Sequence, residues 1–104
     1  MALTLNEAQS NYFISSFGVP RNATVSNAVS SVVMPANEFR TKLIIKNDTA
    51  NNIWINLSGA ATAVAGSGNM KIAATGGYFE LDGFSGAVNA IAETAPSDIT
   101  AREW

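Results

Sequence analysis

The chain has 104 residues, 47% of them hydrophobic and 13% charged, with six basic and eight acidic side chains, a formal net charge of −2, and neither histidine nor cysteine. That length suits one domain with one modest core, and the scattered basic residues form no stripe to follow a phosphate backbone, which sets nucleic acid aside. Without histidine or cysteine the commonest general base, the usual metal ligands, disulfides and thiol nucleophiles are gone, and no cofactor is expected.

The charged fraction is about half the ~25% usual for globular domains. A surface of Ala, Ser, Thr, Asn and Gly is either packed against something or simply neutral. The first residues, MALTLNEAQS, lack the basic start and apolar centre of a signal peptide, and no apolar run approaches the ~20 residues of a membrane helix. Neither export by that route nor a membrane span is therefore expected.

Residues 1–22 read as an extended arm. Leu3, Leu5, Tyr12, Phe13, Ile14 and Phe17 are apolar but lack a sustained period, and Gly18 and Pro20 close the segment. Fully extended, such an arm reaches roughly 60 to 70 Å at ~3.3 Å per residue, well beyond a domain whose radius of gyration should be about 13 Å. Its aromatic side chains either fold back on their own core or lie on a neighbour, and the cost of exposing them favours the neighbour.

From residue 23 the repeating unit is short. Candidate strands are 28–34, 39–46, 52–57, 69–73, 78–81, 87–92 and 98–104, separated by turn signals at Pro35, Gly76-Gly77, Asp82-Gly83 and Pro96. About seven short strands predict an all-β domain over 23–104, a single antiparallel sandwich or barrel, jelly-roll-like, carrying the arm. The runs 39–46 and 52–57 read as a central hairpin about the Asn-rich turn between them. Period two puts Phe39, Thr41, Leu43 and Ile45 on its buried side, opposite Arg40, Lys42, Ile44 and Lys46; Ile53, Ile55 and Leu57 are buried opposite Asn52, Trp54 and Asn56. Ile44 and Trp54 are then large apolar groups on the outer face. Residues 58–68 are a small-residue surface loop or hold a short strand at 62–65.

Glu80, Asp82, Glu93, Asp98 and Glu103 are the carboxylates that could act in catalytic pairs. Each stands at a turn or opposite apolar residues, where solvated charge belongs, so no enzyme is expected. The run from Gly66 to Lys71 looks like a phosphate loop but continues as a strand rather than a helix, and is taken as a flexible connection. Asn22, Asn47 and Asn56 open glycosylation-type triplets at a frequency close to chance. Trp54 reads as an interface anchor, as packing in a second core under the arm, or as a platform for a sugar. Trp104 is tolerated in water only if it docks, which pairing of strand 98–104 would achieve.

Four short motifs occur in order: Leu43 to Asn47, Ile53 to Leu57, Ile72 to Leu81 and Val88 to Ala92. This succession of apolar strand, Asn-rich turn, aromatic-bearing strand, small-residue loop, Ile-Ala-Ala-x-Gly-Gly-x-hydrophobic-Glu and Ala-Ile-Ala resembles a group of small proteins from the head-gene clusters of tailed bacteriophages. The arm has no counterpart in that pattern. The resemblance implies a virion structural protein, a decoration (cement) protein or head-fibre base that binds the major capsid protein on the capsid surface, often as a homotrimer. Interface residues would be Leu3, Leu5, Tyr12, Phe13, Ile14, Phe17, Ile44, Trp54 and Trp104. A carbohydrate- or receptor-binding fibre module and a tail or neck component are the alternatives.

Overall fold

A computed structural model describes residues 18–64, 66 and 68–104. Among them there is no helix; nine strands form two antiparallel sheets, and neither closes into a barrel. They are β1 (Val19–Pro20), β2 (Ala23–Val25), β3 (Ser31–Met34), β4 (Lys42–Asn47), β5 (Ile53–Asn56), β6 (Asn69–Ile72), β7 (Gly77–Asp82), β8 (Val88–Ala92) and β9 (Ser97–Glu103). The first sheet runs β1-β9-β4-β7, with β2 also on β9; the second runs β3-β8-β5-β6.

Alternation builds the core. Leu43 and Ile45 of β4, Ile53 and Ile55 of β5, Val88, Ala90 and Ala92 of β8, and Ile99 and Ala101 of β9 all turn inward into one apolar cluster shared by both sheets. Alanines on β8 and β9 face branched side chains from β4 and β5, so large and small groups interdigitate.

Each of the seven strand runs read from the sequence has its counterpart, but the central hairpin does not form. β4 pairs with β7 and β9, whereas β5 pairs with β6 and β8, so the two lie in opposite sheets. An apolar alternation specifies which side of a strand is buried and leaves its partner open, and both faces here meet across the core instead of side by side. Asn47 directs the crossing. Buried at the end of β4, its amide donates to the carbonyls of Asn51, Ile72 and Ala73, while its oxygen accepts the backbone and hydroxyl of Thr49. That side chain therefore fixes the turn after β4 and also reaches the end of β6 in the other sheet.

The start of β4 also differs from the expected strand at 39–46. Asn37 accepts the Phe39 amide on its side chain and the Arg40 amide on its carbonyl, a turn that delays the strand to Lys42. Phe39, expected inside, is 81% exposed, and Arg40, expected outside, is 4% exposed. At the other end of the chain, β1 takes Val19 and Pro20 out of the presumed arm and pairs them with Glu103 and Arg102. Between β1 and β2 the Arg21 amide donates to Ala101, and the Asn22 side chain accepts the Ala101 amide, so one interrupted strand covers the edge of β9. Gly18, at φ 79°, lets the backbone pass against the Trp104 indole, where a side chain would collide with the ring. A side chain at Gly77 would likewise strike the Ala73 backbone across the turn into β7.

Candidate interaction surface

Each sheet has an outward face, and the two faces differ in chemistry. On the first sheet, outward positions of β4, β7 and β9 carry Lys42, Lys46, Glu80, Asp82, Asp98 and Arg102. Lys42 Nζ lies 2.6 Å from Glu80 Oε1, and that hydrogen bond and the Glu80 charge raise the ammonium pKa. Ile44 is half-buried, with Glu80 and Arg102 as its cross-strand neighbours. Trp104 also belongs to this side, with Lys42 Nζ 5.8 Å from its ring centroid.

The strands of the second sheet contain one charged residue, Lys71. Register sets two outward rows across it. One row is Val32, Asn89, Asn56 and Asn69; the other is Ile91, Trp54 and Lys71. The Trp54 indole N–H donates to Glu93 Oε2 at 3.1 Å, and Lys71 Nζ stands 6.0 Å from the ring centroid. Glu93 has its pKa lowered, first by that indole bond and then by a bond from Asn52. Trp54 is thereby pinned in plane at the middle of the face and half-exposed beside Ile91.

The connection from β5 to β6 folds onto the first of these rows. Asn56 Oδ1 accepts the Ser58 and Gly59 amides and the Ser58 hydroxyl, and its amide donates to Asn69. Asn69 in turn accepts the Thr62 amide and donates to the Thr62 hydroxyl and the Val64 carbonyl. The Ala61 amide donates to Ser30, just before β3 on the opposite edge. An outward asparagine is 3% exposed only because this loop covers it. Thr62 to Val64 form no strand, and the run from Gly66, expected to be a loose connection, is tied by the Gly66 carbonyl accepting the Asn69 amide. Of the large apolar side chains here, Val32 of β3 and Val64 of the loop are 55% and 61% exposed, and Val29, in the turn before β3, is 66% exposed.

The carboxylates do not assemble into a catalytic pair. Glu80 holds Lys42, Glu93 holds Trp54, and Asp98 accepts the Thr24 hydroxyl at 2.6 Å. Glu103, expected to be solvated, is 1% exposed and lies inside, bound by Arg21, Asn37 and Arg40. Burial opposes its charge, but the Asn37 and Arg21 hydrogen bonds and the Arg21 and Arg40 charges win and hold its pKa below the usual carboxylate range. Arg40 completes the clasp with bonds to the carbonyls of Pro35, Phe84 and Gly86. A buried carboxylate held by two guanidinium groups and an amide is a structural tie. Among the described residues no group of three acidic side chains could hold a metal ion.

No protein-family model matches this chain, and no curated protein or solved structure matches it. Among the expected interface residues, Leu3, Leu5, Tyr12, Phe13, Ile14 and Phe17 lie outside the described residues. Ile44 and Trp104 share the charged face, while Trp54 stands alone on the other, so the three are not brought together. Sequence reasoning missed Val32 and Ile91. The signal was present in Val88 to Ala92, where period two gives the core Val88, Ala90 and Ala92 and leaves the larger Ile91 outside.

Proposed function

We propose that this is a non-enzymatic structural protein that decorates the outside of a tailed-phage capsid, binding the major capsid protein as a homo-oligomer, with a trimer favoured, and stapling neighbouring capsid subunits. The observation that carries this reading is the outward face of the second sheet, whose strands carry no charge but Lys71 and bear Trp54, Ile91 and Val32, with Glu93 bonded to the Trp54 indole. A lone monomer gains nothing from such a face, whereas a permanently bound subunit buries it.

The strand order supports an architecture to match. We read β2-β9-β4-β7 and β3-β8-β5-β6 as the two halves of a jelly-roll sandwich, the double Greek key that recurs in viral capsid and lectin domains. Fold alone does not choose between those roles. The state of Trp54 favours protein contact over sugar stacking, because its N–H is already taken by Glu93 and an ammonium already lies over its ring. Neither nucleic acid nor a membrane is part of the reading, and no helix among the described residues is long and apolar enough to span a bilayer.

Attachment would rest on buried area, with ~1,600 Å² standard for a stable contact, and on simultaneous engagement of several lattice subunits. Co-sedimentation with capsids lacking the protein tests this. Saturation at a fixed stoichiometry with a raised capsid melting temperature is expected; protein that stays in the supernatant at every concentration overturns the reading. Removing residues 1–17 should abolish attachment and leave the β domain folded, and full decoration by the truncated chain would refute the role given to the arm.

A further inference from the structure

We infer that the open edge of β7 is a strand-addition site, and that its occupant is an extended segment of another protein with basic side chains at alternate positions. The inference concerns the edge of the first sheet rather than the Trp54 face, and it does not require that the partner be a capsid.

Phase decides which backbone groups of β7 are open. The Gly83 amide donates to the Thr41 carbonyl, and from there the register with β4 continues unbroken, Lys42 opposite Asp82 through Asn47 opposite Gly77. Hydrogen-bonded pairs recur at every second residue of an antiparallel ladder, so Leu81 and Phe79 turn their amides and carbonyls toward β4. Those of Tyr78, Glu80 and Asp82 point the other way, and no described residue hydrogen-bonds to them. A row of main-chain donors and acceptors is left along this edge, the template on which a further strand forms.

The other edges are blunted. β3 has a register shift between Val32 and Met34 and is stopped by Pro35. The edge made by β1 and β2 contains Pro20 and is interrupted between the two strands. β6 carries Lys71, and its Asn69 amide is already taken by the Gly66 carbonyl. Bulges, prolines, lysines and covering loops are what keep an edge from pairing. β7 has none of them among the described residues; it is six regular residues, Gly-Tyr-Phe-Glu-Leu-Asp. Its inner side is unfinished at the same place. Phe79 and Leu81 face the core but stay half-buried, whereas Leu43 and Ile45 beside them on β4 are 0% exposed. One more strand with apolar residues on its inner side would close over them.

Charge names the occupant. Tyr78, Glu80 and Asp82 point outward from β7, and the cation beside them is Lys42 of β4, salt-bridged to Glu80. Lys46, the next outward cation of β4, is held by Asp48. The open side of the edge is therefore acidic. Lys or Arg on an incoming strand would stand opposite Glu80 or Asp82, as Lys42 already stands opposite Asp82 on the closed side. A second copy's β7 is a poor occupant. The antiparallel register that engages Tyr78, Glu80 and Asp82 together sets Glu80 directly against Glu80 of the partner subunit, and like charges directly opposite are destabilising.

The test is amide hydrogen exchange of the full-length chain followed by NMR, with end-blocked hexapeptides as probes. In the chain alone, the amides of Tyr78, Glu80 and Asp82 should exchange fast and those of Phe79 and Leu81 slowly, at every protein concentration. An alternating Lys-Val peptide should slow the fast set at least about 10-fold, and an alternating Glu-Val peptide should not. Glu80→Lys with Asp82→Lys should reverse that preference. Glu80→Pro should abolish protection by the Lys-Val peptide and spare the β4 ladder, because the amide it removes faces the open side. Unchanged slow exchange at Leu43 and Ile45 establishes that the ladder is intact, and Tyr78→Pro serves in its place if it is not. A Lys-Val peptide that protects none of these amides, a Glu-Val peptide that protects them equally, or protection that survives the proline would each overturn the inference. Slow exchange in the chain alone would overturn it too: independent of concentration, it places the chain's own residues on the edge, and growing with concentration, it places a second copy there.

Discussion

On the outside of the first sheet Ile44 stands between Glu80 and Arg102, with Lys42 salt-bridged nearby; on the outside of the second, Trp54 stands between Ile91 and Lys71 with no acidic residue on any neighbouring strand. Both residues break the alternation in the same way, as large apolar groups on the wet side. Their neighbours give them different meanings. Ile44 has charged cross-strand neighbours of the kind whose stems cover apolar groups while their heads stay in water, and Tyr78, 67% exposed, lies on the same face beside Lys46. Around Trp54 the strand neighbours are apolar or neutral apart from Lys71, and the one acidic partner, Glu93, reaches the indole from the end of β8; the proposed role of this face is to be covered. An out-of-phase apolar residue is therefore informative about binding only once the charge of the adjoining strands is known.

If the two sides have separate tasks, damage on one should spare the other. The largest effect belongs to the clasp inside the first sheet. Glu103→Ala leaves Arg40, whose side chain is 0% exposed, without its carboxylate, and should cost about 3–5 kcal/mol in urea unfolding. Per folded molecule, association should be unchanged. Next is Asn56→Ala, which strips the loop over the second sheet of its central acceptor and should cost about 1–3 kcal/mol; hydrogen exchange should show faster opening at Ser58, Gly59 and Thr62, with β4 and β9 unaffected. Trp54→Ala should shift stability less than either and still lower the mass by light scattering to that of a monomer, while Ile44→Ala on the opposite side leaves the mass alone. Smallest is Lys42→Ala, which removes an exposed ion pair with Glu80 that is screened by solvent and weakened further by salt, so the urea midpoint should move least of the set.

Acid sharpens the same contrast. The Glu103 pKa is depressed on folding, so its contribution is fully present above the ordinary carboxylate value and is lost as pH falls through the lower folded value. Urea midpoints measured downward from pH 5 should therefore fall, and Glu103→Gln, which has no charge to lose, should show a shallower fall from a lower start. Equal slopes for the two proteins would remove Glu103 from the account.

Much of the fold was legible because turn residues punctuate it. Pro35 stops β3, Gly77 admits the close turn into β7, and Asp82-Gly83 and Pro96 bound β8 and β9. Pairing was not legible, because Leu43, Ile45, Ile53 and Ile55 satisfy the same alternation whether β4 and β5 lie side by side or face to face. The buried clasp was hidden for another reason. Arg40 and Glu103 are 63 residues apart, and each alone reads as a surface charge; only the topology that brings the end of β9 to the turn before β4 makes them partners. The loop after β5 was hidden in the same way, since a Ser-, Gly- and Ala-rich run looks loose until Asn56, Asn69 and Ser30 are seen to hold it. Trp54 was found at once, but that it faces away from Ile44 and Trp104 came only with the strand order.

The central proposal that can be tested without capsids is that the Trp54 face is buried when the chain forms its homo-oligomer. Its most direct measurement is acrylamide quenching of Trp54 fluorescence in a full-length Trp104→Phe variant across a dilution series. The account predicts a protected indole at high concentration that becomes readily quenched as the protein dissociates, in step with the fall in mass. Quenching that is the same at every concentration while the mass falls would contradict it.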